Sequence, residues 1–192
     1  MFKKIIIMGL FLLNFNTNVY AQEVQAWDVF DYLEALEGEW TLSPASKQLG
    51  TLSYKKEAVL PLVGTDAVGI SFKVIGGFST IEEELLPNTR AQMVTMYHCK
   101  DIACTKLKAT HYCVKQNQPE FLANLEKSTA TRIILECDMS TQLCQSKEDH
   151  VHTIIHELSN NFKHLKSSYL SWENKKPKNK SSIYHFDKRI QK

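Results

Sequence analysis

From Val68 onward, apolar side chains recur at every second position, and that period excludes most of the folds open to a chain of this length. Val68, Ile70, Phe72 and Val74 alternate with Gly69, Ser71 and Lys73, and Gly76-Gly77 then offers a tight hairpin turn. Leu107, Ala109, His111 and Cys113 alternate with Lys106, Lys108, Thr110 and Tyr112. Phe121, Ala123 and Leu125 alternate with Glu120, Asn124 and Glu126, although Leu122 falls on the polar side. Ile133 and Leu135 alternate with Arg132, Ile134 and Glu136, and residues 152–158, 169–172 and 183–186 continue the pattern. The spacing predicts about nine or ten short strands, with no fixed repeat and no dividing linker. Consecutive antiparallel strands with one apolar face form either a sandwich or a closed barrel. Hairpin-length connections favour the up-and-down barrel, and closure removes exposed strand edges. The expected fold is therefore all-β, an up-and-down antiparallel β-barrel of about eight to ten strands. Such a barrel holds its own side chains plus one small ligand.

One helix precedes the strands. Trp27, Phe30, Leu33 and Leu36 recur every three residues, which predicts an apolar stripe that ends before Gly38.

The first 21 residues have the three parts of a cleavable signal peptide. Lys3 and Lys4 are followed by an apolar run from Ile5 to Leu13, then by a polar stretch ending in Val19-Tyr20-Ala21. The run is too short for a permanent membrane anchor. Residues 22–192 are then expected as one domain, periplasmic or secreted. Removing Lys3 and Lys4 leaves 21 basic residues against 21 acidic ones. A formally neutral domain lacks the basic excess that phosphate binding demands, so nucleic acid is not an expected partner. Among the five cysteines, Cys99 with Cys104 and Cys137 with Cys144 each stand across a short turn, which suits two local disulfides. Cys113 is left over. Neither spacing matches a zinc knuckle.

At Leu36-Glu37-Gly38-Glu39-Trp40 a helix end runs into a strand through Gly-x-Trp. Met93-Val94-Thr95-Met96-Tyr97-His98, Thr110-His111-Tyr112-Cys113 and Asn117-Gln118-Pro119 follow. Together these resemble a family of uncharacterised bacterial secreted proteins with lipocalin-like (calycin) barrels. The likeness extends through His152 and Ser171-Trp172. It implies a calycin-like barrel whose floor is closed by Trp40, and it implies export; it brings no activity. Gln116 stands where that family carries Gly, and the four paired cysteines lie outside its pattern.

Alternation puts His111 and Cys113 on the apolar face, so the interior would hold an imidazole and a thiol. The expected function is binding of a small apolar or amphipathic ligand, with His111, Tyr112, Cys113, His152 and Trp172 as the candidate contacts. Asn117 and Gln118 would support the turn, and Tyr112 points away from His111. His150, His152 and His156 share one parity. A metal or haem site, enzymatic or not, would use His111 and His152 if they approach each other. Catalysis by Cys113 with His111 as base has no oxyanion site to accompany it. A third alternative is a filled barrel that binds another protein through its outside. Glu82-Glu83-Glu84 reads as a solvated strand, Asn174 to Lys180 as a solvated basic loop, and Leu170, Trp172, Tyr184 and Phe186 as core.

Overall fold

The structure, a computed structural model, describes residues 23–47, 56–159, 161–179 and 181–190. The leader expected over residues 1–21 lies outside them. A helix, α1 (Ala26–Ala35), precedes eleven strands: β1 (Gly38–Leu42), β2 (Val68–Ile75), β3 (Thr80–Leu85), β4 (Met93–Cys99), β5 (Leu107–Tyr112), β6 (Glu120–Ala123), β7 (Arg132–Cys137), β8 (His150–Ser159), β9 (His164–Glu173), β10 (Lys176–Pro177) and β11 (Ser182–Lys188). From β1 to β9 each strand pairs antiparallel with the next, and β11 pairs with both β9 and β1. Ten strands thus close into a barrel, while two-residue β10 only extends the hairpin at the end of β9.

Local chemistry sets the turns and the register. Gly76 and Gly77 adopt φ of 61° and 66° between β2 and β3, in the left-handed region that glycine enters at no steric cost. At Gly69 a Cβ would stand 2.8 Å from Leu42 Cγ and 3.0 Å from Phe186 Cε1, so only glycine lets β1, β2 and β11 approach this closely.

The alternating faces meet in the barrel interior. Ile70, Phe72, Ile81, Leu85, Tyr97, Leu107, Ala109, Phe121, Leu135, Ile154, Leu165, Tyr184 and Phe186 are all buried there. Burying each large side chain contributes about 1.5–3 kcal/mol, the main favourable contribution to closing the sheet. Leu170 and Trp172, expected in the core, instead lie half-buried on the face opposite Tyr169.

Helix α1 covers one end of the barrel. Its buried residues are Ala26, Val29, Phe30, Tyr32 and Leu33, with Leu36 just beyond. The stripe is shifted from the expected one, because Trp27 is 47% exposed and Val29 and Tyr32 face inward instead. Asp28 in the first turn accepts a hydrogen bond from the Gln25 backbone N–H at 2.7 Å. Its charge also suits the positive end of the helix dipole. Past the helix, fully buried Trp40 donates from Nε1 to Leu36 O at 2.8 Å. Lys188 lays its ammonium 4.5 Å above the Trp40 ring and donates to Glu37 O at 2.5 Å. The helix end, β1 and β11 are thereby tied at the barrel floor.

Both expected disulfides form. Cys99–Cys104 closes the turn between β4 and β5, and Cys137–Cys144 fastens a short helix, α2 (Gln142–Gln145), to the end of β7. Cys113 is a free, half-buried thiol just past β5.

Candidate functional site

Two side-chain groups concentrate polar chemistry where the fold alone does not ask for it. The first is centred on Glu83, at the middle of the barrel. Alternation on β3 turns Ile81, Glu83 and Leu85 inward, and Glu83 has no solvent exposure. The expectation of a solvated Glu82-Glu83-Glu84 strand is thus corrected: Glu82 and Glu84 sit half-buried on the other face, and the middle carboxylate is interior.

Four groups converge on that carboxylate. Tyr97 O–H donates to Oε2 and Tyr169 O–H donates to Oε1 at 2.6 Å. Thr95 O–H donates to Oε1 at 3.3 Å. His156 Nε2 stands 3.2 Å from Oε2 and 3.1 Å from the Tyr97 oxygen. Tyr97 already gives its proton to Glu83, so both oxygens can only accept, and the Nε2 proton must be present. On the far side of the ring, Nδ1 lies 2.8 Å from Ser167 Oγ. The group reaches His111 through Thr95, whose hydroxyl accepts from His111 Nδ1 at 2.8 Å.

Burial by itself would push the Glu83 carboxyl up. The hydrogen bond and charge of His156, with the hydroxyls of Tyr169 and Tyr97, outweigh it and hold the carboxyl below its ordinary value. Burial, and then the Glu83 charge, push Tyr97 and Tyr169 well above the usual phenol range. The centre of the barrel is therefore an anion whose proton donors keep their protons. Ser167, His156 and Glu83 follow the order of a nucleophile, base and acid. All three have no exposure, so no substrate reaches the Ser167 oxygen in this conformation.

The second group lies where β7, β8 and β9 reach the end of the barrel that α2 abuts. A β-bulge in β8 between Val151 and Thr153 breaks the alternation. Val151 pairs with Ser171 and His150 with Trp172, while His152 is the extra residue. Its ring stacks on the Trp172 indole at a centroid separation of 3.8 Å. His152 Nδ1 stands 3.1 Å from His150 Nε2, and His150 Nδ1 is 2.7 Å from Glu148 O. Burial, and then the neighbouring His150, hold His152 below the ordinary imidazole value. His150 is buried.

Of the residues expected to contact a ligand, His111 alone belongs to the interior group. Tyr112 is on the outer face and 49% exposed. Cys113 hydrogen-bonds its backbone to Asn117 in the turn, and Asn117 Nδ2 donates to Asp149 O at 3.0 Å. His152 and Trp172 belong to the end group. The metal pair expected from His111 and His152 is accordingly not assembled: one ring meets Thr95 and Tyr169, the other His150 and Trp172. The bulge is the cause, since it takes His152 off the face of Ile154 and His156. The residues missed by sequence reasoning are Glu83, Tyr97 and Tyr169. For Glu83 the signal was present in the alternation of Ile81, Glu83 and Leu85.

Among the described residues, the surface also carries depressions. One of about 740 Å³ is bordered by Glu39, Asp66, Lys188 and Arg189, and one of about 450 Å³ lies along Leu122–Glu126 and Glu136–Met139. The third, about 420 Å³, runs beside α1 and includes Val29, Tyr32, Ile133 and Phe162. No protein-family model, curated protein or solved structure matches the chain.

Proposed function

We propose that this chain is an exported binding barrel for a small apolar or amphipathic molecule, held through a polar head by the interior group of Glu83. The observation that carries this reading is the convergence of Tyr97, Tyr169, Thr95 and His156 on one ionised, unexposed carboxylate. Closing a barrel requires no such centre. A buried ion pair is weak support for stability, and apolar residues of similar volume often serve a core as well or better. Perturbed titratable groups gathered in one interior support a functional site instead. An ionised carboxylate only accepts hydrogen bonds, so the head group of the ligand carries N–H or O–H donors. It would take the place of one hydroxyl or imidazole partner, while the apolar part displaces aromatic side chains of the interior. The two disulfides and the leader-like residues 1–21 support export. The likeness of the Thr-His-Tyr-Cys and Asn-Gln-Pro segments to secreted calycin-like proteins points the same way.

A second reading rests on the groove beside α1, where Phe162 is 58% exposed next to Val29, Tyr32 and Ile133. There a filled barrel would bind another protein through its outside.

Native mass spectrometry of protein purified from the exported fraction decides between them. An adduct of a small organic molecule, lost on denaturation and absent from Glu83→Gln, supports the interior site. Wild-type protein without an adduct, and with an unchanged melting temperature across a panel of amphipathic amines and alcohols, would move the surface reading to first place.

A further inference from the structure

The Cys137–Cys144 disulfide lies against a histidine pair, and the four side chains together match a metal site that oxidation conceals. The Cys137 sulfur and one ring nitrogen each of His150 and His152 lie within 4.8 Å of one another, and all three residues are buried. Cys144 is bonded to Cys137 and is itself buried, so its sulfur stands one bond from that cluster and supplies the fourth donor once the bond is opened. Two sulfurs and two imidazoles are a ligand set of structural zinc. Sequence spacing hides this set, because six residues separate the cysteines and only one separates the histidines. The α2 turn and the β8 bulge bring them together.

The hydrogen bonds prepare the nitrogens. Glu148 O can only accept, so His150 Nδ1 donates to it and Nε2 is the nitrogen turned toward His152. That carbonyl contact is the outer partner which typically orients a metal-bound imidazole. His150 Nε2 in turn accepts from His152 Nδ1 at 3.1 Å. Two nitrogens bound to one tetrahedral zinc at about 2.0–2.1 Å stand roughly 3.3 Å apart, so the pair is close to ligating separation already. His152 needs only to move its proton from Nδ1 to Nε2. Trp172, stacked on the ring, holds its plane.

We propose that reduction of the Cys137–Cys144 disulfide opens a zinc site formed by Cys137, Cys144, His150 and His152. The chemistry balances with an external dithiol: two electrons and two protons pass to the protein sulfurs, giving two thiols, and the dithiol becomes a disulfide. Zinc binding then releases two protons as the thiols become thiolates. A disulfide oxidant runs the sequence in reverse: it takes two electrons from the thiolates and two protons from water to become a dithiol, Cys137 and Cys144 rejoin, and the metal leaves. The oxidised chain is thus locked at this end by a covalent bond, and the reduced chain by a metal ion.

The test uses the full mature chain, reduced by a water-soluble phosphine that is then removed without air, and titrated with Co(II) and Zn(II). The expected result is one Co(II) per chain, with visible bands of tetrahedral cobalt and thiolate-to-metal charge transfer, displaced by zinc. His150→Ala and His152→Ala should each weaken zinc binding at least about 100-fold, whereas Cys99→Ser with Cys104→Ser should leave it unchanged. Binding that survives both histidine variants, follows Cys99 and Cys104, or fails in a reduced chain that keeps its strand circular dichroism overturns the proposal. If the reduced chain instead unfolds, zinc present during reduction should restore the melting transition, and equal unfolding with and without zinc overturns it too.

Discussion

Tyr169 on β9 donates its hydroxyl hydrogen to Oε1 of Glu83 on β3, 2.6 Å away, joining strands from opposite sides of the barrel. With Tyr97 and His156 on Oε2, that bond makes the charge of Glu83 a cross-brace rather than a lone anion. Glu83→Ala leaves His156, Tyr97 and Tyr169 facing an empty, dry space. Removing one partner of a buried pair typically costs about 3–5 kcal/mol, and urea denaturation should show a loss of that size. A loss within the scatter of ordinary surface substitutions would mean that water or rearrangement replaces the carboxylate.

Acid should act through the same group. The folded carboxyl of Glu83 is held below its ordinary value of 4.5, so its contribution is fully present above that pH and is lost as the pH falls through the lower folded value. Glu83→Gln has no charge to lose. The stability of the wild type should therefore fall more steeply on acidification below the ordinary carboxylate range than that of the variant. Parallel pH profiles would show that the charge contributes nothing.

At the floor, Lys188 joins the helix end, β1 and β11 through its contacts with Glu37 O and the Trp40 ring. Burial pushes its ammonium below the usual lysine value, so the cation is held there by the ring and the carbonyl despite desolvation. Lys188→Met keeps most of the aliphatic stem and removes the charge. A partly desolvated cation–π contact is worth about 1–2 kcal/mol, and the unfolding free energy should fall by that amount, seen as a lower urea midpoint with an unchanged slope. A red shift of Trp40 emission before the main transition would locate the loosening at the floor.

How much was legible in the sequence depended on whether the period of two was unbroken. Ile70, Phe72, Leu107, Phe121 and Ile133 all lie on the faces that alternation assigns, and the barrel follows from them. The two disulfides were legible because each pair spans one turn. Glu83 was lost to composition: three consecutive glutamates suggest solvent, although Ile81 and Leu85 on the same face point inward. His152 was lost to the bulge, a backbone irregularity that no side-chain pattern announces. It separates His152 from the His111 face and gives it to His150 and Trp172. The α1 stripe was misplaced by one contact, because a helix on a barrel end buries a wider arc than three-residue spacing marks.

Trp172 provides an optical report of its neighbour. The indole stacks on His152 at 3.8 Å, and a protonated imidazole in that position quenches indole emission. Burial, and then His150, hold His152 below the ordinary 6.5, so emission should stay constant on acidification until the pH passes below that value and then fall. Trp172→Phe should remove this step while the contributions of Trp27 and Trp40 persist. A step centred at or above 6.5 would show that the ring is more hydrated than the stacking implies.

Gln116 supplies a test of backbone strain. It adopts φ of 60° in the turn after β5, where its N–H donates to Cys113 O at 3.0 Å. The left-handed region costs a residue with a Cβ about 1–2 kcal/mol, and glycine enters it freely. Glycine also adds disorder to the unfolded chain, which offsets part of the gain. Gln116→Gly should therefore raise stability by about 0.5–1 kcal/mol, a shift of a few degrees in the melting temperature. Gln116→Val should do the opposite, because a β-branched residue is strained further at positive φ. If the glycine variant were instead less stable, the Gln116 side chain would have to hold the turn by a contact stronger than the strain it bears.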